Sequence, residues 1–408
     1  MVAEQYPWPA TDGYRQRLHH LIAGLAEVST VDVVSLDRSG AAEVVPSPLD
    51  GVERAVAAPG SEVGIRTWGP AWLRSSAPRR VLGPVWDEAR RSVTDLLEQQ
   101  GTPDLVWFSH VDTWWPLHDL LAGVPAIVDF DNLENLALRL RRRTPPRFAP
   151  GADLADRVKG SARWATSRAF DLVDEGRWDR LQRSVANQVD RVVVCSELDA
   201  VRSGCANVVV VPNGADPAPG AQLDRTTLRG EHPTMLFVGA LDYEPNTEAV
   251  EWFVREVLPL VKARAPRARV RIVGRGGEGL AWVSDVAGVD LVGAVPDIAD
   301  ELAATDISIV PIRVGAGTRL KVVEALANHL PLVTTTVGCE GIALTDDVDA
   351  LIADDPRTFA DACLRLIESP ALRQRLADAG DELFRARYDW AHIQATVGAL
   401  AREVAGTQ

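Results

Sequence analysis

A chain of 408 residues, 46% hydrophobic and 25% charged, has an ordinary globular composition and enough length for two or three cores. Its formal net charge of −14 leaves no domain-wide basic balance to neutralise phosphates, so no nucleic acid is expected as a partner. The four cysteines, Cys195, Cys205, Cys339 and Cys363, lack CxxC spacing, which argues against a metal cluster or a disulfide framework and fits a reducing cytoplasm. No apolar run reaches the length of a membrane span, and the N-terminus lacks a signal peptide's charged and apolar regions.

The first residues, 1–5, read as the tail of a strand that begins abruptly. A turn-forming segment, 6–13, opens a helix over 14–26, with Leu18, Leu21, Ile22 and Leu25 at helical spacing and Arg15 and Arg17 near its start. Strands follow at 31–36 and near 52–57, then a helix over 80–99 that ends at Gly101 and Pro103. A buried strand at 105–109 presents His110, and another at 125–131 presents Asp129, Asp131, Asn132 and Glu134.

Residues 136–190 read as polar helix with a break at 144–150. Arg139, Arg141, Arg142, Arg143 and Arg147 form a basic run there. Such a run is a solvated helix face or a docking surface for an anionic membrane or acceptor, the latter giving peripheral contact with the inner face of the membrane. Short strands at 191–195 and 208–212 close the first half, and the turn at 212–216 with the loose stretch 217–230 marks a domain boundary. Six further strands lie at 235–239, 270–274, 289–293, 307–311, 332–336 and 350–353. Helices separate most of them, 248–264 most clearly, and two amphipathic helices follow Ser369.

Alternating strands and helices predict an α/β protein of two Rossmann-like doubly wound domains facing each other across a cleft, with ligands at the C-terminal strand ends. The expected division is 1–214, 215–385, and a C-terminal helix within 386–408 crossing back to the first domain.

The chemistry concentrates in 314–327. Gly315 and Gly317 allow a tight turn after the strand, and Thr318 suits the N-cap of a helix running to about Ala327. Arg319 and Lys321 then occupy the first turn, the wrong sign for the helix dipole unless an anion sits between them. Glu324 shares the face that Leu320 and Ala327 bury, where a carboxylate is costly unless donors such as sugar hydroxyls meet it. The local reading is a diphosphate at the helix start and a ribose one turn in. The other reading is a surface helix with solvated cations and a Glu paired to a neighbouring Arg.

With these residues in view, the chain resembles the family-4 retaining glycosyltransferases of the GT-B fold, glycosyl transferases group 1, over essentially its whole length. Residues 237–249 are similar to the family's first donor-domain strand and glycine loop. Residues 292–297 are similar to the loop that reads the nucleobase, 315–327 to the diphosphate- and ribose-binding helix start, and 337–342 to the loop after the next strand. In the first half, Pro7-Trp-Pro9, Gly13, Arg15 and Arg17 resemble the N-terminal glycine loop.

The resemblance implies transfer of a sugar from a nucleotide-diphospho donor with retained anomeric configuration. The acceptor would be a glycan, a lipid-linked or a small molecule. Arg319 and Lys321 would neutralise the leaving diphosphate, and Glu324 would hold the ribose. Gly13, Arg17, Gly239, Asn246, Val295, Gly317 and Thr318 would complete the donor site. No cofactor is implied, and a divalent metal is not expected to be essential.

Two departures bear on donor identity. The family's E-x7-E pair would place an acid at Ala316, and Leu241-Asp242-Tyr243 stands where many members carry a basic residue. A GT-B nucleotide-sugar epimerase and a non-catalytic nucleotide-binding partner protein remain as alternatives.

Asp129-Phe-Asp131 matches the D-x-D metal motif of the other glycosyltransferase fold, but it lies in the half opposite the donor motifs, and no metal site is expected there. Asp131 suits the acceptor side and a general-base role, and His110 is a site residue or a structural polar group. Gly274-Arg-Gly-Gly277 lacks the dinucleotide fingerprint and its downstream acid, which argues against a nicotinamide enzyme.

Overall fold

Runs such as Val192-Val-Val194 and Met235-Leu-Phe237 are apolar without alternation because both faces of their strands are covered. A computed structural model shows them at the centres of two parallel sheets; it describes residues 1–37, 45–143, 153–218, 220, 224–315 and 317–406. The first sheet contains β1 (Val2–Ala3), β2 (Val31–Asp37) and β3 (Val52–Pro59). A small antiparallel pair, β4 (Ser61–Glu62) and β5 (Pro84–Val85), stands apart from it. The first sheet continues with β6 (Val106–Phe108), β7 (Ala126–Phe130), β8 (Arg191–Val194) and β9 (Val208–Val210), in the order β3-β2-β1-β6-β7-β8-β9. The second sheet contains β10 (Thr234–Val238), β11 (Arg269–Val273), β12 (Val289–Gly293), β13 (Ile307–Val310), β14 (Leu332–Thr334) and β15 (Leu351–Ile352), in the order β12-β11-β10-β13-β14-β15.

In each sheet the strand order reverses once, between β1 and β6 and between β10 and β13. At such a reversal the connecting helices leave to opposite faces, and a crevice opens beyond the C-terminal strand ends. The loops after β1, β6, β10 and β13 are therefore where ligand chemistry is expected.

The chain divides into two compact units. One gathers the described residues of 1–143, 159–212 and 390–406; the other gathers 153–158 and 213–389. The sequence-read boundaries were 214/215 and 385/386. The helix Trp390–Ala405 packs on the helix Gly13–Ala26 within the first unit, with His20 stacked on Trp390 at 4.1 Å. Their approach depends on glycine: a Cβ at Gly24 would lie 2.6 Å from the Gln394 carbonyl oxygen, and one at Gly398 would lie 3.0 Å from that of Gly24.

Two helices differ from expectation. The helix placed at 80–99 starts at Asp87, because a short helix, Arg79–Leu82, ends at Gly83 and Pro84 enters β5. The helix placed at 248–264 runs as Glu244–Trp252, a π-helical turn Phe253–Val257, and Leu258–Arg264. Pro259 explains the turn, since it has no N–H to donate and its ring would strike the carbonyl of Arg255. The break read at 144–150 lies outside the described residues. Among the described residues no helix is long and apolar enough to cross a membrane.

Candidate functional site

In the second unit, site residues meet beside the reversal between β10 and β13. Gly239 follows β10, and its amide donates to the Val273 carbonyl (2.9 Å). A Cβ at Gly239 would come within 2.7 Å of Lys321 Nζ and 2.8 Å of Asn246 Nδ2, so only glycine leaves room for both. Lys321 Nζ donates to Asn246 Oδ1 (2.6 Å) and lies 4.4 Å from the centroid of the Phe237 ring. Asn246 in turn donates to the Ala240 carbonyl (2.7 Å), which fixes its amide and through it the ammonium.

The electrostatics are those of a buried cationic site. Burial lowers the Lys321 pKa to about 7; Glu324 pulls it upward and Arg319 pushes it down. Burial raises the Glu324 carboxyl above its ordinary range, with Lys321 opposing. Burial also lowers the Arg319 guanidinium, against the opposing pull of Tyr243 and Glu340. Desolvated cations of this kind gain most when an anion arrives.

The loop between β13 and the helix Leu320–Ala327 carries Gly315 and Gly317 at φ 133° and 80°, a turn that side-chain-bearing residues resist. Thr318 is not the helix cap. The N-cap is Arg319, without a side-chain cap bond, because the left-handed turn at Gly317 leaves Thr318 outside the helix. The Thr318 hydroxyl is buried without a hydrogen-bond partner, while Arg319 Nη1 donates to the Gly317 carbonyl. Val295 is half-buried against the core in the loop after β12. Ala316 lies outside the described residues.

Sequence reasoning missed Arg313, three residues after β13. It pairs with the buried Glu248 and lies 4.8 Å from the Trp252 ring centroid. A lone arginine after a strand carries no signal of its own.

In the first unit, Gly13 opens its helix behind the Asp12 N-cap, whose carboxylate accepts from the Arg15 amide (3.0 Å). Arg17, expected at the donor, is only 2% exposed and is spent on the protein. Its Nε and Nη2 donate to Asp129 at 2.9 and 3.1 Å, and Nη1 donates to the carbonyls of Val211 and Pro212. The reason is architectural: Arg17 lies one turn into a helix that crosses the ends of β7 and β9. The same pairing occupies the D-x-D triplet, since Asp129 faces Arg17 and Asp131 lies 3.8 Å from it. Burial still raises the Asp129 pKa to about 6, with Arg17 holding it down. Among the described residues no group of three His, Cys, Asp or Glu could hold a metal ion. Asp131 is half-buried and accepts from the Cys195 thiol (3.4 Å).

His110 follows β6 and is the N-cap of the short helix Val111–Trp114, 3% exposed. Its Nδ1 lies 3.5 Å from Asp112 and its Nε2 3.5 Å from Glu134, so both nitrogens face protein carboxylates. Burial alone would lower its pKa, but Asp112 and Glu4 outweigh burial and raise it to about 9. Arg80, the first residue of the helix read at 80–99, joins this group: it reaches Asp112 at 2.5 Å, Glu134 at 2.7 Å and Glu4 at 2.8 Å. Glu4 and His110 follow the two strands flanking the first reversal. His110 therefore positions a strand-end cluster of three acids and two cations.

The basic run is largely neutralised. Arg139 and Arg142 pair with Glu175, and Arg141 with Asp171, at 2.7–2.8 Å. Arg147 lies outside the described residues.

Residues 232–369 match the family described as glycosyl transferases group 1. Over this segment the chain is similar to the group 1 glycosyltransferases. A D-inositol 3-phosphate glycosyltransferase from a Nocardioides species is 28% identical over 249 residues, 52% of this chain and 53% of that protein. The chain thus spans about half the length of the curated relatives it matches.

Among solved structures, sucrose-phosphate synthase from Thermosynechococcus elongatus superposes with a TM-score of 0.65 at 16% identity, over 100% of this chain and 98% of its own. Anabaena HepE in complex with UDP gives 0.61 at 12% identity, over 98% and 99%. At those identities the likeness is one of fold, and the fold is GT-B.

Proposed function

We propose that the chain is a retaining glycosyltransferase whose second unit binds a nucleotide-diphospho-sugar. The observation that carries this reading is the convergence of Lys321, held by Asn246 over Gly239, with Arg319 at the start of the helix Leu320–Ala327. Among the described residues Lys321 has no carboxylate at salt-bridge distance, so an incoming diphosphate finds a desolvated ammonium beside the buried Arg319 guanidinium and the open amides of a helix start.

When the glycosidic bond to the β-phosphate breaks, negative charge accumulates on the leaving diphosphate. Lys321 and Arg319 stabilise that charge, and the stabilisation grows from ground state to transition state. Glu324, one turn further on, accepts from ribose hydroxyls, which offsets its burial. The buried Thr318 hydroxyl gains a phosphate oxygen as its partner. The bound UDP in HepE supports a nucleoside diphosphate as the ligand class. The acceptor is a glycan, a lipid-linked or a small molecule. Catalysis needs no metal in this scheme, because side-chain cations do the work a metal would do.

The test is thermal stabilisation by UDP, GDP, ADP and dTDP, each with and without magnesium, on wild type and Glu324→Ala. A ligand at a hundredfold excess over its dissociation constant stabilises by about 2.7 kcal/mol, which a melt resolves. One diphosphate should stabilise the wild type without magnesium, and the variant much less. Retention is then read from the anomeric proton coupling of the product made with the corresponding nucleotide-sugar. An inverted product contradicts the mechanism.

A further inference from the structure

Between β4 and β5 the chain makes an excursion whose helix, Ile65–Arg74, buries none of its residues. Ile65, Trp68, Trp72 and Leu73 nevertheless share one face at helical spacing. The two tryptophans use an edge of that face to dock on the long helix Leu154–Ala186. Their rings meet Phe170 at 6.1 and 5.2 Å, Trp72 Nε1 donates to Asp174 (2.7 Å), and Arg177 lies 4.2 Å from the Trp72 ring centroid. Ile65 and Leu73 stay 58% and 76% exposed, with Val173 at 41% beside Phe170 on the long helix.

Cations flank this strip. Arg66 and Arg74 have no acidic partner among the described residues. Neither do Lys159 and Arg163, which lie on the same face of the long helix as Phe170, by their i, i+4, i+11 spacing. The helix Ile65–Arg74 itself carries two arginines and no acid, in a chain of net charge −14.

We propose that this helix is an interfacial anchor that lies on an anionic lipid surface. Ile65 and Leu73 enter the acyl boundary, the half-buried tryptophans sit at headgroup level, and Arg66, Arg74, Lys159 and Arg163 meet lipid phosphates. Charge selects the occupant. A second copy of the chain would bring the same cationic strip against itself in a two-fold contact, which is repulsive. A lipid surface satisfies the apolar side chains and the cations together. The arginines at 139, 141 and 142 contribute little, because Glu175 and Asp171 already neutralise them. The inference stands independently of the catalytic reading.

The experiment is cosedimentation of the full chain with vesicles of phosphatidylcholine alone or mixed with phosphatidylglycerol, at low and high salt. The wild type should partition onto the anionic vesicles only, and less at high salt. Ile65→Ser with Leu73→Ser, and separately Arg66→Gln with Arg74→Gln, should each lower the partition constant about tenfold or more. All four residues are solvent-exposed, so the unfolding midpoint should not move, which separates loss of binding from loss of fold. Wild-type binding by both variants, or no binding of the wild type to anionic vesicles, would overturn the proposal. So would a dimer in light scattering that Ile65→Ser with Leu73→Ser abolishes, since that assigns the strip to a second copy.

Discussion

Lys321 concentrates the conflict between stability and function. Burial holds its pKa near 7, while the unfolded chain keeps its lysine protonated to about 10.5. Between those values the unfolded state binds the extra proton, so this residue makes stability rise with pH across that window, and below about 7 its penalty is fully present. Lys321→Met should flatten that rise and increase stability most below pH 7, as followed by urea denaturation across pH. The same variant should lower turnover by at least about tenfold, because a charge-stabilising group is lost. Arg17 behaves in the opposite way. Its bidentate pair with Asp129 is buried on both sides, so Arg17→Met leaves an uncompensated carboxylate and should cost about 3–5 kcal/mol in denaturant unfolding. The sequence marked both residues as cations beside glycine loops and could not separate them. What separates them is where each helix crosses its sheet.

At the scale of elements, the buried parallel strands were legible because unbroken apolar runs of four to five residues have few other uses. The helix Leu320–Ala327 was legible to within two residues, and the error at Thr318 came from a left-handed glycine that no periodicity reports. The excursion between β4 and β5 went unread because its apolar stripe is short and is interrupted by Gly69 and Pro70, which read as loop. The Arg80 cluster was hidden for a related reason: its acids come from three separate strand ends. The contact between the helices Gly13–Ala26 and Trp390–Ala405 rests on a backbone approach that only glycine permits. Gly24→Val should therefore push the C-terminal helix away and destabilise the first unit by about 1–3 kcal/mol. Hydrogen exchange should then show lost protection along Trp390–Ala405, and unchanged protection would remove the argument.

For the whole molecule, the same physical rule places both candidate sites. Each sheet reverses its strand order once, and the residues singled out by chemistry follow the strands at that reversal: Glu4 and His110 in one unit, Gly239, Arg319 and Lys321 in the other. The fold class was readable from the alternation of strands and helices, and the same reading set these residues at strand ends. Donor identity was not, because backbone groups around 295–297, where a base would be read, leave little mark on side-chain choice.

The measurement that tests the central claim most directly is calorimetric titration of the stabilising nucleoside diphosphate into wild type and Lys321→Met at pH 6 and pH 8. The account predicts tighter binding at pH 6 for the wild type, because Lys321 must be protonated to meet the diphosphate. In the variant it predicts binding weakened about tenfold or more at pH 6, with that part of the pH dependence gone. Equal affinities in the two proteins at both pH values would contradict it.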